Sequence, residues 1–222
     1  MRNCNIYLQK MNLIRPMRKI ACILSFLILS LAVKAQTAEE ILQRVDQIMT
    51  EGEKQGISMT VETKVPILGK MNMKTLTLGD KMRIETRIMG VDFITWSDGE
   101  TDWTYDSKSK EVTIETGSPS SAEESGDAEM FENITDGYDV SIKKETADAW
   151  YIKCRKSKTN TNKDDPQNME LVVRKGTFHP ISLSTKMSGV TLTMKDLRFG
   201  VSEAQVTFDI KQYPGVKIVD KR

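Results

Sequence analysis

From Ile57 onward the chain alternates apolar and polar residues with a period of two. Ile57, Met59 and Val61 fall on one side of the first run, with Ser58, Thr60 and Glu62 on the other. Met82, Ile84, Thr86 and Ile88 repeat the pattern against Arg83, Glu85 and Arg87. It recurs at Trp103 and Tyr105, Val112 and Ile114, Val140 and Ile142, Trp150 and Ile152, and Met169, Leu171 and Val173. Val190, Leu192 and Met194 continue it, and Val206, Phe208 and Ile210 close it. Successive side chains of a strand point to opposite faces, so this spacing predicts half-buried strands. Links such as Leu78-Gly79-Asp80, Lys175-Gly176 and Ser188-Gly189 predict hairpins between them. About ten strands in such a meander curl into a barrel or a strongly bent sheet instead of staying flat.

The region before Ile57 follows a different period. Ile41, Leu42, Val45, Ile48 and Met49 lie at three, four and seven spacing, which predicts an amphipathic helix. Thr37 and Glu40 form a capping box at its start, and Gly52 or Gly56 ends it. The helix is expected to cover an open side of the sheet or plug its mouth. Residues 117–137 break the alternation with an acidic, Ser- and Gly-rich stretch that carries Met130, Phe131 and Ile134 at helical spacing. Two readings stand: a surface loop with one docked turn, or a short helical lid that touches a ligand. Residues 159–168 read as a polar hairpin loop.

Upstream, Arg15 to Lys19 is basic, Ile20 to Val33 is an uncharged apolar run, and Val33-Lys34-Ala35 ends in small residues. This is the order of a secretory signal. A run of about 14 residues is shorter than the roughly 20 needed to span a bilayer as a helix. The expected division is therefore a removed signal, 1–35, and a single domain, 36–222, free in the envelope space. Cys22 lies at the front of the apolar run, whereas a lipidated cysteine follows it.

Charge and cysteine content narrow the function. The 222-residue chain carries a net charge of +1, but six of its 32 Lys and Arg and none of its 31 acids lie in residues 1–35. The remainder has a net charge of −5, which argues against nucleic acid, since phosphate binding needs a basic patch. Cys154 alone remains beyond residue 35 and reads as a small buried apolar group. The lone His179, in Phe178-His179-Pro180, has no neighbouring acid or nucleophile. One His and one Cys make no typical zinc site. No nucleophile elbow, P-loop or H-E-x-x-H occurs. The expectation is a protein that is not an enzyme and uses no metal or cofactor.

What the sequence has instead is methionine on its apolar positions: Met59, Met71, Met73, Met82, Met89, Met169, Met187 and Met194. Methionine suits adaptable apolar surfaces. Either these residues fill an ordinary core, or they line a cavity for acyl chains.

Three passages resemble the periplasmic outer-membrane lipoprotein carriers, the LolA family. Ser97-Asp98-Gly99-Glu100-Thr101-Asp102-Trp103-Thr104-Tyr105-Asp106 is similar to its S-D-G-K-x-x-W-x-Y-[DN] hairpin. Met169 to Val173, followed by His179-Pro180-Ile181, is similar to its late strand, turn and strand. Val206-Thr207-Phe208-Asp209-Ile210 to Pro214-Gly215-Val216-Lys217-Ile218-Val219-Asp220 is similar to its closing F-x-F-x-x-P-x-G-V-x-V-x-D. The resemblance covers nearly all of the chain after residue 35. It implies a mainly β fold with some helix, an unclosed antiparallel barrel whose opening helices cover. It also implies a monomeric periplasmic carrier that takes an acylated lipoprotein or related lipid from an inner-membrane transporter and delivers it toward an outer-membrane acceptor. The family's lid-holding arginine has no counterpart: Leu78 stands roughly in its place, and Arg83 should point away from the face of Met82. Within this reading, Met59, Met82, Ile84, Phe93, Trp96, Trp103, Leu171, Leu192 and Met194 are the expected cavity lining. Met130, Phe131 and Ile134 are the expected lid. The alternative is an envelope sensing or scaffolding module on the same fold, with a filled core and no cargo.

Overall fold

The structure, a computed structural model, describes residues 36–66, 69–117, 136–163 and 165–222. The expected lid residues Met130, Phe131 and Ile134, and the expected signal, lie outside the described residues.

Helix α1 (Ala38–Glu53) begins as its sequence dictates. The Glu40 backbone N–H donates to Thr37 Oγ1 at 3.2 Å, and the Thr37 N–H donates to Glu40 Oε2 at 3.1 Å. Its apolar stripe, Ile41, Leu42, Val45 and Met49, is buried. Gly56 turns the chain into the sheet at φ +77; a Cβ there would also come within 2.7 Å of the Thr77 carbonyl oxygen.

Twelve strands follow: β1 (Ile57–Val65), β2 (Gly69–Leu78), β3 (Lys81–Ile88), β4 (Val91–Ser97), β5 (Thr101–Asp106), β6 (Glu111–Thr116), β7 (Tyr138–Glu145), β8 (Ala149–Lys156), β9 (Asn168–Arg174), β10 (Pro180–Met187), β11 (Val190–Phe199) and β12 (Lys217–Asp220). They form one sheet in the order β12-β6-β5-β4-β3-β2-β1-β11-β10-β9-β8-β7. Two meanders, β1–β6 and β7–β11, are thus joined by antiparallel pairing of β1 with β11. The outer strands β12 and β7 are not paired with each other, so the sheet is an unclosed barrel. Register shifts at Ser58/Thr60, Pro180/Ser182 and Ile142/Lys144 break the ladders locally, and such bulges bend a sheet.

The sheet's two faces are covered by different elements. Helix α1 lies on one face, against β1 and β7–β11, over a core that includes Met59, Val61, Ile152, Leu171, Val173, Leu183 and Met194. On the opposite face the C-terminal segment packs on β2–β5. It contains a short helix α2 (Glu203–Val206) and a 3-10 turn (Ile210–Gln212). Leu76 meets Val201 and Val206 there. Tyr213 and Phe208 meet Trp96.

This segment corrects one expectation. Val206, Phe208 and Ile210 do not form a strand. Gln205 Oε1 accepts the Ser202 N–H at 2.8 Å, and Asp209 Oδ1 accepts the Lys211 N–H at 3.0 Å. These local bonds favour turns over a ladder. A second correction concerns Met89, which is fully exposed at the β3–β4 turn with φ 51 instead of facing the core.

Candidate ligand-binding face

The pairing register sets out what each face carries. Directly paired residues share a face, so the rows across the sheet can be read residue by residue. On the α1 side, one row runs from Val61 through Met194, Leu183, Leu171 and Ile152 to Ile142, and is apolar throughout. Across β1 the same face changes character. One row runs Met59, Thr75, Ile84, Thr95, Thr104, Thr113. A second runs Ile57, Thr77, Met82, Ser97, Asp102, Glu115. A third runs Val61, Met73, Thr86, Phe93, Asp106, Glu111. The face therefore has a mainly apolar half under α1, whose next row includes Thr63 and the buried Thr185. On β2–β6 it has a half where methionine, isoleucine and phenylalanine alternate with threonine and give way to carboxylates on β5 and β6.

Against this layout the expected lining residues divide into groups. Met59, Leu171 and Met194 belong to the packed core with α1. Leu192 is half-buried on the same face. Met82 is buried, and Ile84 and Phe93 are half-buried on the mixed half. Trp96 and Trp103 sit on the other face. Trp96 packs on Phe208 at 5.3 Å and Tyr213 at 5.5 Å between ring centroids, and Trp103 stacks on Phe208 at 5.7 Å. Arg83 shares that face, its guanidinium 5.2 Å from the Trp96 ring, and so points away from Met82 as expected. Thr86 was placed with Met82 and Ile84 by the alternation, but the other inward threonines were missed, because a polar residue at an inward position reads as an interruption of the apolar pattern.

The polar groups of the mixed half are unevenly satisfied. Thr95 Oγ1 and Thr104 Oγ1 are hydrogen-bonded at 3.2 Å. Asp106 Oδ1 accepts the Lys108 and Ser109 N–H groups at 2.7 and 3.2 Å, which lowers its pKa. Glu111 pairs with Lys217 at 2.8 Å and Glu115 with Lys221 at 3.0 Å. By contrast, Thr75 Oγ1 and Asp102 Oδ1 are buried and meet no hydrogen-bond partner.

Among the described residues no group of three or more His, Cys, Asp or Glu side chains is arranged to hold a metal. His179 Nε2 lies 2.9 Å from the Leu197 carbonyl oxygen, and its ring meets Phe199 edge-on. Cys154 is buried, and that burial pushes its thiol up to about 11, so it stays protonated at neutral pH. What the face offers chemically is apolar cover, hydroxyl hydrogen bonds and, on β5 and β6, carboxylate acceptors. No described helix is long and apolar enough to cross a membrane.

No family model and no curated protein matches the sequence. Several solved structures are similar to the chain. A LolA superfamily protein from Nitrosomonas europaea is 13% identical, with 80% of this chain and 100% of that one covered and a TM-score of 0.33. The Mycobacterium tuberculosis lipoprotein LppX is 12% identical over 73% of this chain and 96% of its own, with a TM-score of 0.45. LprF from Mycobacterium bovis is 9% identical over 74% and 93%, with a TM-score of 0.48.

Proposed function

We propose that the protein is an exported carrier that shields the acyl chains of a lipoprotein or related lipid and moves them through the periplasm toward the outer membrane. The observation that carries this reading is the continuity of one face. The apolar surface under α1 runs past β1 onto Met73, Met82, Ile84 and Phe93, and Met73, Ile84 and Phe93 are only half-buried. Acyl chains gain about 0.8 kcal/mol per CH₂ removed from water, so a surface of this kind favours them. The three LolA-like passages support the same reading, as does the signal pattern of residues 1–35. An inner-membrane donor and an outer-membrane acceptor follow from the resemblance and belong to the proposal.

The test is to purify the protein from cell envelopes and extract it for mass spectrometry. Co-purified acylated molecules, or saturable binding of a fluorescent fatty acid, are expected. Finding neither sinks the carrier reading. One observation favours the scaffold alternative: Met59, Leu171 and Met194 are already sealed beneath α1, as a filled core requires. The same experiment separates the two, because a filled module takes up no acyl probe.

A further inference from the structure

Resting on the carrier reading, we propose that the ligand of this face carries an uncharged polar head rich in hydrogen-bond donors, hydroxyl or amide N–H, and not a phosphate. A surface made only for acyl chains carries apolar side chains alone. The central row of the α1 half, Val61, Met194, Leu183, Leu171, Ile152, shows it, and the buried threonine of the next row, Thr185, donates its hydroxyl to the Asn168 carbonyl oxygen at 3.0 Å. The β2–β6 half departs from that pattern in a regular way. One row places threonine at Thr75, Thr95, Thr104 and Thr113 with a single apolar residue, Ile84, among them.

Surface threonines on strands are common and ask for no ligand. Thr75 is different, because it is only 2% exposed and its hydroxyl meets no partner. A buried polar group without a hydrogen bond is costly, so it is kept where something else uses it. Asp102 adds a second such atom on the same face, Oδ1, one strand beyond Thr95 and one row from Thr104. A carboxyl oxygen calls for a donor, and a threonine hydroxyl can accept one or offer one in return.

The charge of the surroundings selects among polar heads. Asp102, Asp106, Glu111 and Glu115 share this face at its β5–β6 side. Lys217 and Lys221 engage Glu111 and Glu115 and are tied up by them. A phosphate brought against this side would meet acids, not a free basic cluster. A sugar or an amide meets acceptors, and its chains lie on Met73, Met82, Ile84 and Phe93.

The experiment uses vesicles containing equal amounts of three lipids with identical dioleoyl chains: glucosyl-diacylglycerol, phosphatidylglycerol and diacylglycerol. The protein is incubated with them, re-isolated, and its lipid quantified by mass spectrometry. The wild type should take up the glucosyl lipid about tenfold over phosphatidylglycerol, the difference expected for one or two well-made hydrogen bonds. Thr75→Val and Asp102→Asn should each bring that ratio toward one, with uptake of diacylglycerol, whose head is a single hydroxyl, falling by less than that of the glucosyl lipid. Thr75→Val should also keep or raise the melting temperature, since it removes an unpartnered hydroxyl; should it misfold instead, Asp102→Asn decides. Equal uptake of the two headgroups, a preference for phosphatidylglycerol, or an unchanged ratio in both variants overturns the inference and leaves the carrier reading standing. Uptake of none of the three overturns both.

Discussion

At Gly52 the last turn of α1 comes so close to β11 that a Cβ would lie 2.1 Å from the Phe199 ring. That ring cannot simply swing aside, because His179 meets it edge-on at 5.3 Å. Gly52→Ala should therefore lower stability by about 1–3 kcal/mol, although alanine is the better helix former. Urea denaturation reads this directly, and an unchanged midpoint would show that the packing yields without cost. Glu62 presents a different residue-scale device. Its carboxylate accepts from Lys195 and pairs with Lys70, both at 2.8 Å. The Lys195 bond, then that of Lys70, holds its pKa at about 2 instead of 4.5. A depressed carboxylate stabilises the fold above its unfolded value, and this contribution fades as pH falls from about 4.5 toward 2. Glu62→Gln should be less stable at neutral pH and should converge on the wild type over that window. Parallel urea midpoints across the window would refute the assignment.

Among the elements, those set by neighbours in sequence were legible. Thr37 and Glu40 announced the start of α1, because a capping box closes within four residues. The hairpins were legible at Gly79, Gly176 and Gly189, which all take positive φ in their turns. The pairing of β1 with β11 and the parallel docking of β12 on β6 were not, since those partners lie more than a hundred residues apart. The C-terminal segment was misread because a spacing of two in apolar residues also suits a turn-rich strap with alternate side chains pressed on a sheet. Phe208 is the centre of that strap, touching Trp96, Trp103 and Tyr213. Phe208→Ala should cost about 2 kcal/mol, less than a fully buried ring, and should shift tryptophan fluorescence to the red. Uptake of acyl probes should persist, because the strap lies on the face opposite Met82. Loss of probe binding in a folded variant would place the strap in the site.

For the molecule as a whole, the open question in the sequence was phase. Each strand displays an apolar side, but nothing local says whether the apolar sides of neighbouring strands coincide. In β3 the residues Met82 and Ile84 face the α1 side; in β4 and β5 the largest apolar residues, Trp96 and Trp103, face the C-terminal strap. The candidate site was therefore half legible: Ile84 and Phe93 share a face, and the tryptophans leave it. This division allows stability and binding to be separated. Leu171 is fully buried beneath α1, so Leu171→Ala should cost about 2–5 kcal/mol by leaving a cavity. It should leave the affinity of the folded protein for a fluorescent fatty acid nearly unchanged. Ile84 is half-buried on the mixed half, so Ile84→Asp should cost less stability but weaken binding by about tenfold or more, since a carboxylate there must lose water when an alkyl chain covers it. Titration of both variants, below the denaturant concentration at which either unfolds, gives the comparison. If Leu171→Ala loses binding and Ile84→Asp keeps it, the acyl chains lie beneath α1, and that helix must move away from the sheet to admit them.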